Sequence, residues 1–199
     1  KVYVSVIDVA ASGGYYVALA GDRIMVHPTS LVGSIGVLAL KLNLEGLMDK
    51  VGVEWEVVKS SKKKDFMSPF RPLTKEERVL FQETIDRYYD RFVDLVVLNR
   101  DGLDVKEVRA LADGRVYNAR QALNNHLVDS IGYLKDLVEL AKKELDQPDL
   151  KVVTYSRPRE YKSNYYSSMG STPKISLINL DLGFDWNQIS PQFLFLWGQ

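Results

Sequence analysis

A strand-like run passes directly into a helix-like run near the start of the chain, through a serine and two glycines. Residues 2–7 are rich in Val, Tyr and Ile, as in a buried strand, and residues 13–21 are apolar and of helical length. A strand that turns at once into a helix is a building unit of α/β folds. Ser12, between the two runs, therefore bears on both architecture and chemistry.

Similar segments alternate along the first 155 residues. Further strands are predicted at residues 23–27, 54–59 and 151–155. Helices are predicted at residues 44–51, 74–99, 105–112, 118–124 and 133–145. The longest helix starts with Thr74 and Glu77 in the spacing of a capping box, and Gly52 is placed to end the helix before it. This alternation predicts an α/β fold with parallel strand pairing.

The composition changes after the alternating segments. Residues 1–155 form one predicted domain, residues 156–174 are polar and predict a linker, and residues 175–199 form an apolar tail. The tail contains Phe193-Leu194-Phe195-Leu196-Trp197, which is too short to span a bilayer. Two roles are open for it: packing on its own domain or packing on a neighbouring subunit.

Charge and cysteine content exclude several classes of function. The chain has 26 basic and 26 acidic residues, so it lacks the basic excess expected of a nucleic-acid-binding protein. It has no cysteine for a disulfide, thiolate metal site or cysteine nucleophile, and two histidines are too few for a histidine-rich metal site. We expect no metal and no cofactor. The chain opens at Lys1 in a strand, and we expect it to be a fragment whose upstream part is missing.

Ser12 is placed for nucleophilic chemistry. A turn between a strand and a helix projects the serine hydroxyl out of the packed layer, and the following glycines let backbone N–H groups approach a substrate carbonyl. The helix N-terminus adds a positive partial charge beside the hydroxyl. These features favour acyl transfer, while an ordinary helix-capping serine in a loop is the alternative.

A serine nucleophile needs a base, and the residues leave several candidates. His27 at a strand end or His126 at a helix end could complete a Ser/His/Asp triad, although neither has a local triad signature. A lysine can also serve when burial lowers its pKa. The residues alone do not choose among the lysines of the loop, which are Lys59, Lys62, Lys63 and Lys64.

Four blocks of sequence resemble, in order, the motifs of the signal peptide peptidase A family. These serine proteases use a Ser/Lys dyad on a ClpP/crotonase-like fold of repeated β-β-α units with a parallel sheet. The blocks are Ala-Ala-Ser-Gly-Gly-Tyr-Tyr at 10–16, the glycine-serine segment at 28–37, the lysine loop and following helix start at 62–78, and the later signature at 113–129. The resemblance covers residues 1–155, which it identifies as a protease domain.

The resemblance assigns roles to four residues. Ser12 is the nucleophile, and Lys64 is the general base because the family's base stands immediately before the position of Asp65. Ser34 matches a serine that supports the lysine amine, and the N–H of Gly13 contributes to the oxyanion hole. The second oxyanion donor and an N-terminal membrane anchor belong to upstream sequence, so the fragment alone can be folded yet inactive.

The resemblance also implies a substrate and a setting. It predicts an endopeptidase that cleaves apolar peptides, such as remnant signal peptides, through an acyl-enzyme. It further implies a ring-like homo-oligomer at a bacterial-type cell membrane, with the catalytic domain outside the cytoplasm. The 52 residues between Ser12 and Lys64 favour a dyad within one chain, with a dyad between chains as the alternative. A crotonase-like acyl-coenzyme A enzyme and a non-catalytic assembly subunit are the alternative functions.

Overall fold

The computed structural model describes residues 1–153, 155 and 193–194. It divides into two compact units. The first consists of Lys1–Leu137 together with Asp185–Gln199, and the second is Val138–Phe184. The described strands are β1 Tyr3–Val6, β2 Val9–Ala11, β3 Arg23–Val26, β4 Leu31–Gly33, β5 Leu38–Ala39, β6 Val116–Asn118, β7 Ser130–Ile131 and β8 Phe193–Leu194. The described helices are α1 Gly13–Ala18, α2 Glu45–Val51, α3 Lys75–Asn99, α4 Val105–Leu111, α5 Ala119–Asn124 and α6 Leu134–Glu144.

Six strands of the first unit form two three-stranded sheets. One sheet has the order β1-β3-β7 with every neighbour parallel, and Val4 lies opposite Ile24. The other has the order β2-β4-β6, in which β2 and β4 are parallel and β6 is antiparallel. The pairs β1–β2 and β3–β4 thus repeat one pattern, since the first strand of each joins one sheet and the second joins the other. The predicted α/β fold with parallel pairing is confirmed.

The core packs α1 and the second half of α3 against these strands. Phe92 of α3 is fully buried, and its ring forms an edge-to-face pair with the Tyr16 ring at a centroid distance of 5.2 Å. Tyr15 is also fully buried, and its hydroxyl donates to the carbonyl of Leu127 at 2.8 Å. Burying a large apolar side chain is worth about 1.5–3 kcal/mol. These contacts hold the start of α1, and with it Ser12, in a fixed place.

The predicted start and end signals of two helices are confirmed. The Thr74 hydroxyl accepts the N–H of Glu77 at 3.1 Å, and the Glu77 carboxylate accepts the N–H of Thr74 at 2.9 Å, as a capping box requires. At the other helix, Gly52 takes the left-handed conformation, with φ 67°, directly after α2.

Three strand predictions are wrong or incomplete. Residues 54–59 contain no strand, and Val58 is 95% exposed. Alternation alone does not make a strand where no neighbouring strand pairs with it, and Trp55 instead packs on Phe70 at a centroid distance of 5.6 Å. Residues 151–153 and 155 also lack regular structure. Finally, the run predicted at 2–7 ends at Val6, and the chain crosses to the other sheet as β2.

The predicted linker at 156–174 lies outside the described residues. Only Phe193 and Leu194 of the tail at 175–199 are described, and they pair antiparallel with Ala39 and Leu38 of the same chain. The domain boundaries and a role of the tail at a subunit interface stay predictions. Within the described part of the chain, no helix combines the length and apolarity that crossing a membrane demands.

Candidate active site

Ser12 lies at the turn between β2 and α1, as the sequence predicts. Its backbone has φ 52° and ψ −114°, in the positive-φ region that residues other than glycine rarely adopt. Its N–H donates to the carbonyl of Gly33 at 2.7 Å, and its carbonyl accepts the N–H of Tyr16 at 2.9 Å. Such strained residues cost about 1–3 kcal/mol and cluster at functional sites. The Ser12 side chain makes no capping hydrogen bond, so it is not an ordinary helix-capping serine.

Ser34 lies beside Ser12 because of the strand register. Ala11, the last residue of β2, is the parallel partner of Gly33, the last residue of β4, so the residue that follows each strand is a serine at the same sheet edge. Ser34 also has a positive φ of 50°, and its N–H donates to the carbonyl of Arg115 at 2.8 Å. Carboxyl ends of neighbouring parallel strands are a common place for binding sites.

Gly33 permits this arrangement by lacking a side chain. Its φ is 105°, and a Cβ there would stand 2.8 Å from the Tyr117 ring and 3.2 Å from the Arg115 carbonyl. The close approach of β6 to β4 therefore requires glycine at this position. Since the Gly33 carbonyl accepts the Ser12 N–H, the same residue fixes the Ser12 backbone.

Both serines line a cavity of about 310 Å³. Its other lining residues are Ile35, Gly36, Val37, Leu38, Tyr89, Ala112, Asp113 and Gly114. Most of these are apolar or small, which suits an apolar segment of peptide chain. The sequence does not predict that Tyr89 and Ala112 line the cavity. An apolar pattern at helical spacing does not distinguish a core residue from a residue of a cavity wall.

One carboxylate stands in the cavity wall, and it is already paired. Arg115 donates from Nε to both oxygens of Asp113, at 2.8 and 2.7 Å. The hydrogen bonds from the Arg115 side chain lower the pKa of Asp113. Tyr89 braces the same turn by donating its hydroxyl to the Ala112 carbonyl at 2.9 Å. The family block at 113–129 was the sequence signal for this part of the site.

Gly13 is the first residue of α1, directly after Ser12. The N–H groups in the first turn of a helix have no acceptor within the helix. The Gly13 N–H therefore belongs to a set of donors that the helix itself leaves unused at the Ser12 end.

The candidate lysines differ in what they contact. Lys59 pairs with Asp65 at 2.7 Å, and Lys63 pairs with Glu76 at 2.6 Å. Lys64 is exposed, and its amine makes no hydrogen bond or ion pair with another residue in the described ranges. Lys62 is exposed as well. Neither Lys62 nor Lys64 is among the described residues that line the cavity.

Neither histidine lies at the Ser12 cavity. The Nδ1 atom of His27 is 2.7 Å from the Thr29 hydroxyl, and the imidazole ring forms an edge-to-face pair with the Tyr133 ring at a centroid distance of 5.0 Å. His126 lines a different cavity, together with Arg100 and Asp129. Among the residues whose positions the structure gives, no cluster of three or more His, Asp or Glu side chains could hold a metal ion.

A serine on a strained turn between a strand and a helix, facing an apolar cavity, is the arrangement of serine hydrolases. Comparison with known proteins identifies the family: residues 1–147 match the model of peptidase family S49. The chain therefore belongs to peptidase family S49, and the predicted resemblance to the signal peptide peptidase A family is confirmed. Its fold is the ClpP/crotonase-like α/β fold.

Relatives of this chain carry related names. A protein of Enterococcus faecium, provisionally named signal peptide peptidase SppA, is 42% identical over 154 residues, which are 77% of this chain and 44% of that protein. The chloroplastic serine protease SPPA of Arabidopsis thaliana is 34% identical, covering 86% of this chain and 26% of the relative. Protease 4 of Haemophilus influenzae is 34% identical, covering 73% and 23%. The chain thus spans less than half the length of these relatives.

Proposed function

We propose that the protein is a serine endopeptidase that cleaves apolar peptides, with Ser12 as nucleophile and Lys64 as general base. The observation that carries the proposal is the geometry of Ser12. In a chain of family S49, this serine has a strained backbone, no capping bond on its side chain, and a place in the wall of an apolar cavity.

The chemistry follows in two halves. Neutral Lys64 takes the proton from Ser12 Oγ, which attacks the scissile carbonyl carbon, and the Gly13 N–H donates to the oxyanion. One such donor is worth about 2.7–4 kcal/mol in a comparable site. The lysine ammonium then protonates the leaving amine, and the acyl-enzyme remains on Ser12. Water attacks this ester, its proton passes to Lys64, and the carboxylic acid product leaves as Ser12 regains its proton.

The free amine of Lys64 supports its role as the base. The neighbouring Lys63 pairs with Glu76, whereas no described carboxylate pairs with Lys64. We propose that Lys64 reaches Ser12 within the same chain, and a neighbouring copy in an oligomer is the alternative. Ser34, beside Ser12 at the sheet edge, supplies a hydroxyl that can accept a hydrogen bond from the amine.

The cavity supports an apolar substrate. Ile35, Val37 and Leu38 form one wall, and the only carboxylate among its described lining residues, Asp113, is paired with Arg115. Signal peptides are apolar, and a relative is provisionally named for cleaving them. We therefore propose remnant signal peptides as substrates. A ring-like homo-oligomer at a bacterial-type membrane, with the catalytic domain outside the cytoplasm, is the proposed setting.

Two lysines of the same loop, Lys64 and Lys62, allow a matched test of the general base. In the full-length protein, Lys64→Ala is expected to lower kcat/KM for a fluorogenic apolar peptide by about 10²–10⁴-fold, the usual contribution of a general base. Lys62→Ala removes another exposed lysine, two residues away, and should keep the parent rate. Because the base must be neutral, the parent rate should rise from neutral to alkaline pH. A Lys64→Ala variant as active as the parent would contradict the dyad.

A further inference from the structure

The turn that carries Lys64 is tightly wound. The N–H groups of Lys64, Phe66 and Ser68 each donate to the carbonyl three residues earlier, at 3.2, 3.1 and 3.0 Å. Met67 is buried with φ 68°, so the turn ends in a strained residue packed inward. A strained turn keeps its shape only where the surrounding structure fixes it.

Asp65, the residue after Lys64, anchors the turn through its carboxylate. Arg71 donates to it from Nε at 2.8 Å and from Nη2 at 3.0 Å, which is a bidentate pair. The Nη2 atom also donates to the Asp65 backbone carbonyl at 3.2 Å. Lys59 adds a third side-chain donor at 2.7 Å. Since neighbouring Cα atoms are about 3.8 Å apart, fixing Asp65 also fixes the backbone of Lys64.

The other edge of the same guanidinium binds the long helix. Arg71 donates to Glu77 from Nη1 at 2.8 Å and from Nη2 at 2.6 Å. Glu77 lies in the first turn of α3 and completes the capping box with Thr74. Arg71 therefore joins the turn that carries Lys64 to α3 through two bidentate pairs of hydrogen bonds. Lysine, a point charge with three donors on a flexible stem, cannot bridge two carboxylates in this way.

The backbone at Arg71 contacts the segment that follows the wall of the Ser12 cavity. The Lys41 amine donates to the Arg71 carbonyl, and the Leu44 N–H donates to the Pro69 carbonyl at 2.7 Å. Lys41 lies three residues after Leu38, which lines the cavity. The cluster of Asp65, Arg71 and Glu77 therefore lies between the turn that carries Lys64 and the segment that follows the cavity wall.

The side chains of this cluster are charged and mostly shielded from solvent. The side chains of Asp65, Arg71 and Glu77 are only 7%, 19% and 3% exposed. Hydrogen bonds from Arg71 lower the pKa of Asp65 and bring that of Glu77 to about 2, and the two carboxylates raise the pKa of Arg71. Removing one member leaves a mostly buried partner charge uncompensated.

We infer that Arg71 is the positioning residue of the general base. It sets the place of the Lys64 backbone relative to the cavity wall and leaves the lysine amine free. The inference rests on the proposed role of Lys64. Arg71 does not touch substrate; it acts only through the turn that it holds.

The test uses Arg71→Lys in the full-length protein, with Arg100→Lys as the matched control. Arg100 is also a mostly buried arginine paired bidentately with a carboxylate, that of Asp129, but it lines a different cavity from that of Ser12. Both variants should lower the thermal unfolding temperature. Only Arg71→Lys should lower kcat, by about 10–100-fold with KM little changed, because misplacement of a catalytic group by about 1 Å costs on that scale.

A double variant separates the inference from the proposed function. If Arg71 acts through Lys64, adding Arg71→Lys to Lys64→Ala should not further slow phosphonylation of Ser12 by a fluorophosphonate probe. A full additional loss, or equal loss of kcat in both arginine variants, would overturn the positioning role. If Arg71→Lys keeps the parent kcat while Lys64→Ala is inactive, the positioning role is overturned and the dyad is supported. An active Lys64→Ala would overturn both.

Discussion

Replacing Gly33 with alanine tests how the Ser12 turn is built. Two costs can be worked from the structure. A φ of 105° disfavours any side chain, at about 1–2 kcal/mol for a left-handed residue. The new Cβ would also stand 2.8 Å from the Tyr117 ring, and overpacking costs about 1–3 kcal/mol. The ring has little freedom to move, because Tyr117 is buried and its hydroxyl donates to the Leu111 carbonyl at 2.8 Å. The expected loss is about 2–5 kcal/mol.

Gly114 provides the control that isolates the backbone cost. Its φ is 88°, and no atom lies within 4 Å of a Cβ placed there. Gly114→Ala should therefore cost only about 1–2 kcal/mol. Urea unfolding at neutral pH gives both free energies of unfolding, and the rate of reaction with a fluorophosphonate should fall in Gly33→Ala, where the Ser12 backbone moves. Equal destabilisation by the two variants would refute the packing argument.

Two further variants test local contributions to stability. Gly46→Ala, inside α2 with no atom within 4 Å of the new Cβ, should raise the free energy of unfolding by about 0.5–1 kcal/mol in a urea titration; any loss would contradict the helix assignment. Hydrogen bonds from Arg71 lower the Glu77 pKa from 4.5 to about 2, so its contribution is present above pH 4.5 and is lost as pH falls towards 2. Glu77→Gln should be less stable than the parent at pH 6 and lose less stability between pH 4.5 and 3; parallel profiles would contradict this.

Features set by neighbours in sequence could be predicted. The capping box of Thr74 and Glu77 and the helix end at Gly52 depend on residues within one turn, and both are confirmed. The turn at Ser12 was predicted for the same reason, since strand, serine, glycines and helix are contiguous.

Features set by distant partners could not be predicted in the same way. Residues 54–59 alternate like a strand, but no described strand pairs with them. The crossing from β1 to β2 is hidden in the sequence because the chain is largely apolar on both sides of it. Arg71 joins side chains six residues away in each direction, a spacing that matches neither helix nor strand periodicity.

Covalent labelling of Ser12 tests the central claim most directly. The full-length protein is treated with a fluorophosphonate, and the modified residue is located by mass spectrometry. The proposed function predicts one dominant adduct on the peptide that contains Ser12, absent in Ser12→Ala and formed much more slowly in Lys64→Ala. A crotonase-like enzyme or a non-catalytic subunit would not be labelled there. Labelling that is absent from the parent, or that persists unchanged in Ser12→Ala, would contradict the assignment of Ser12 as the nucleophile.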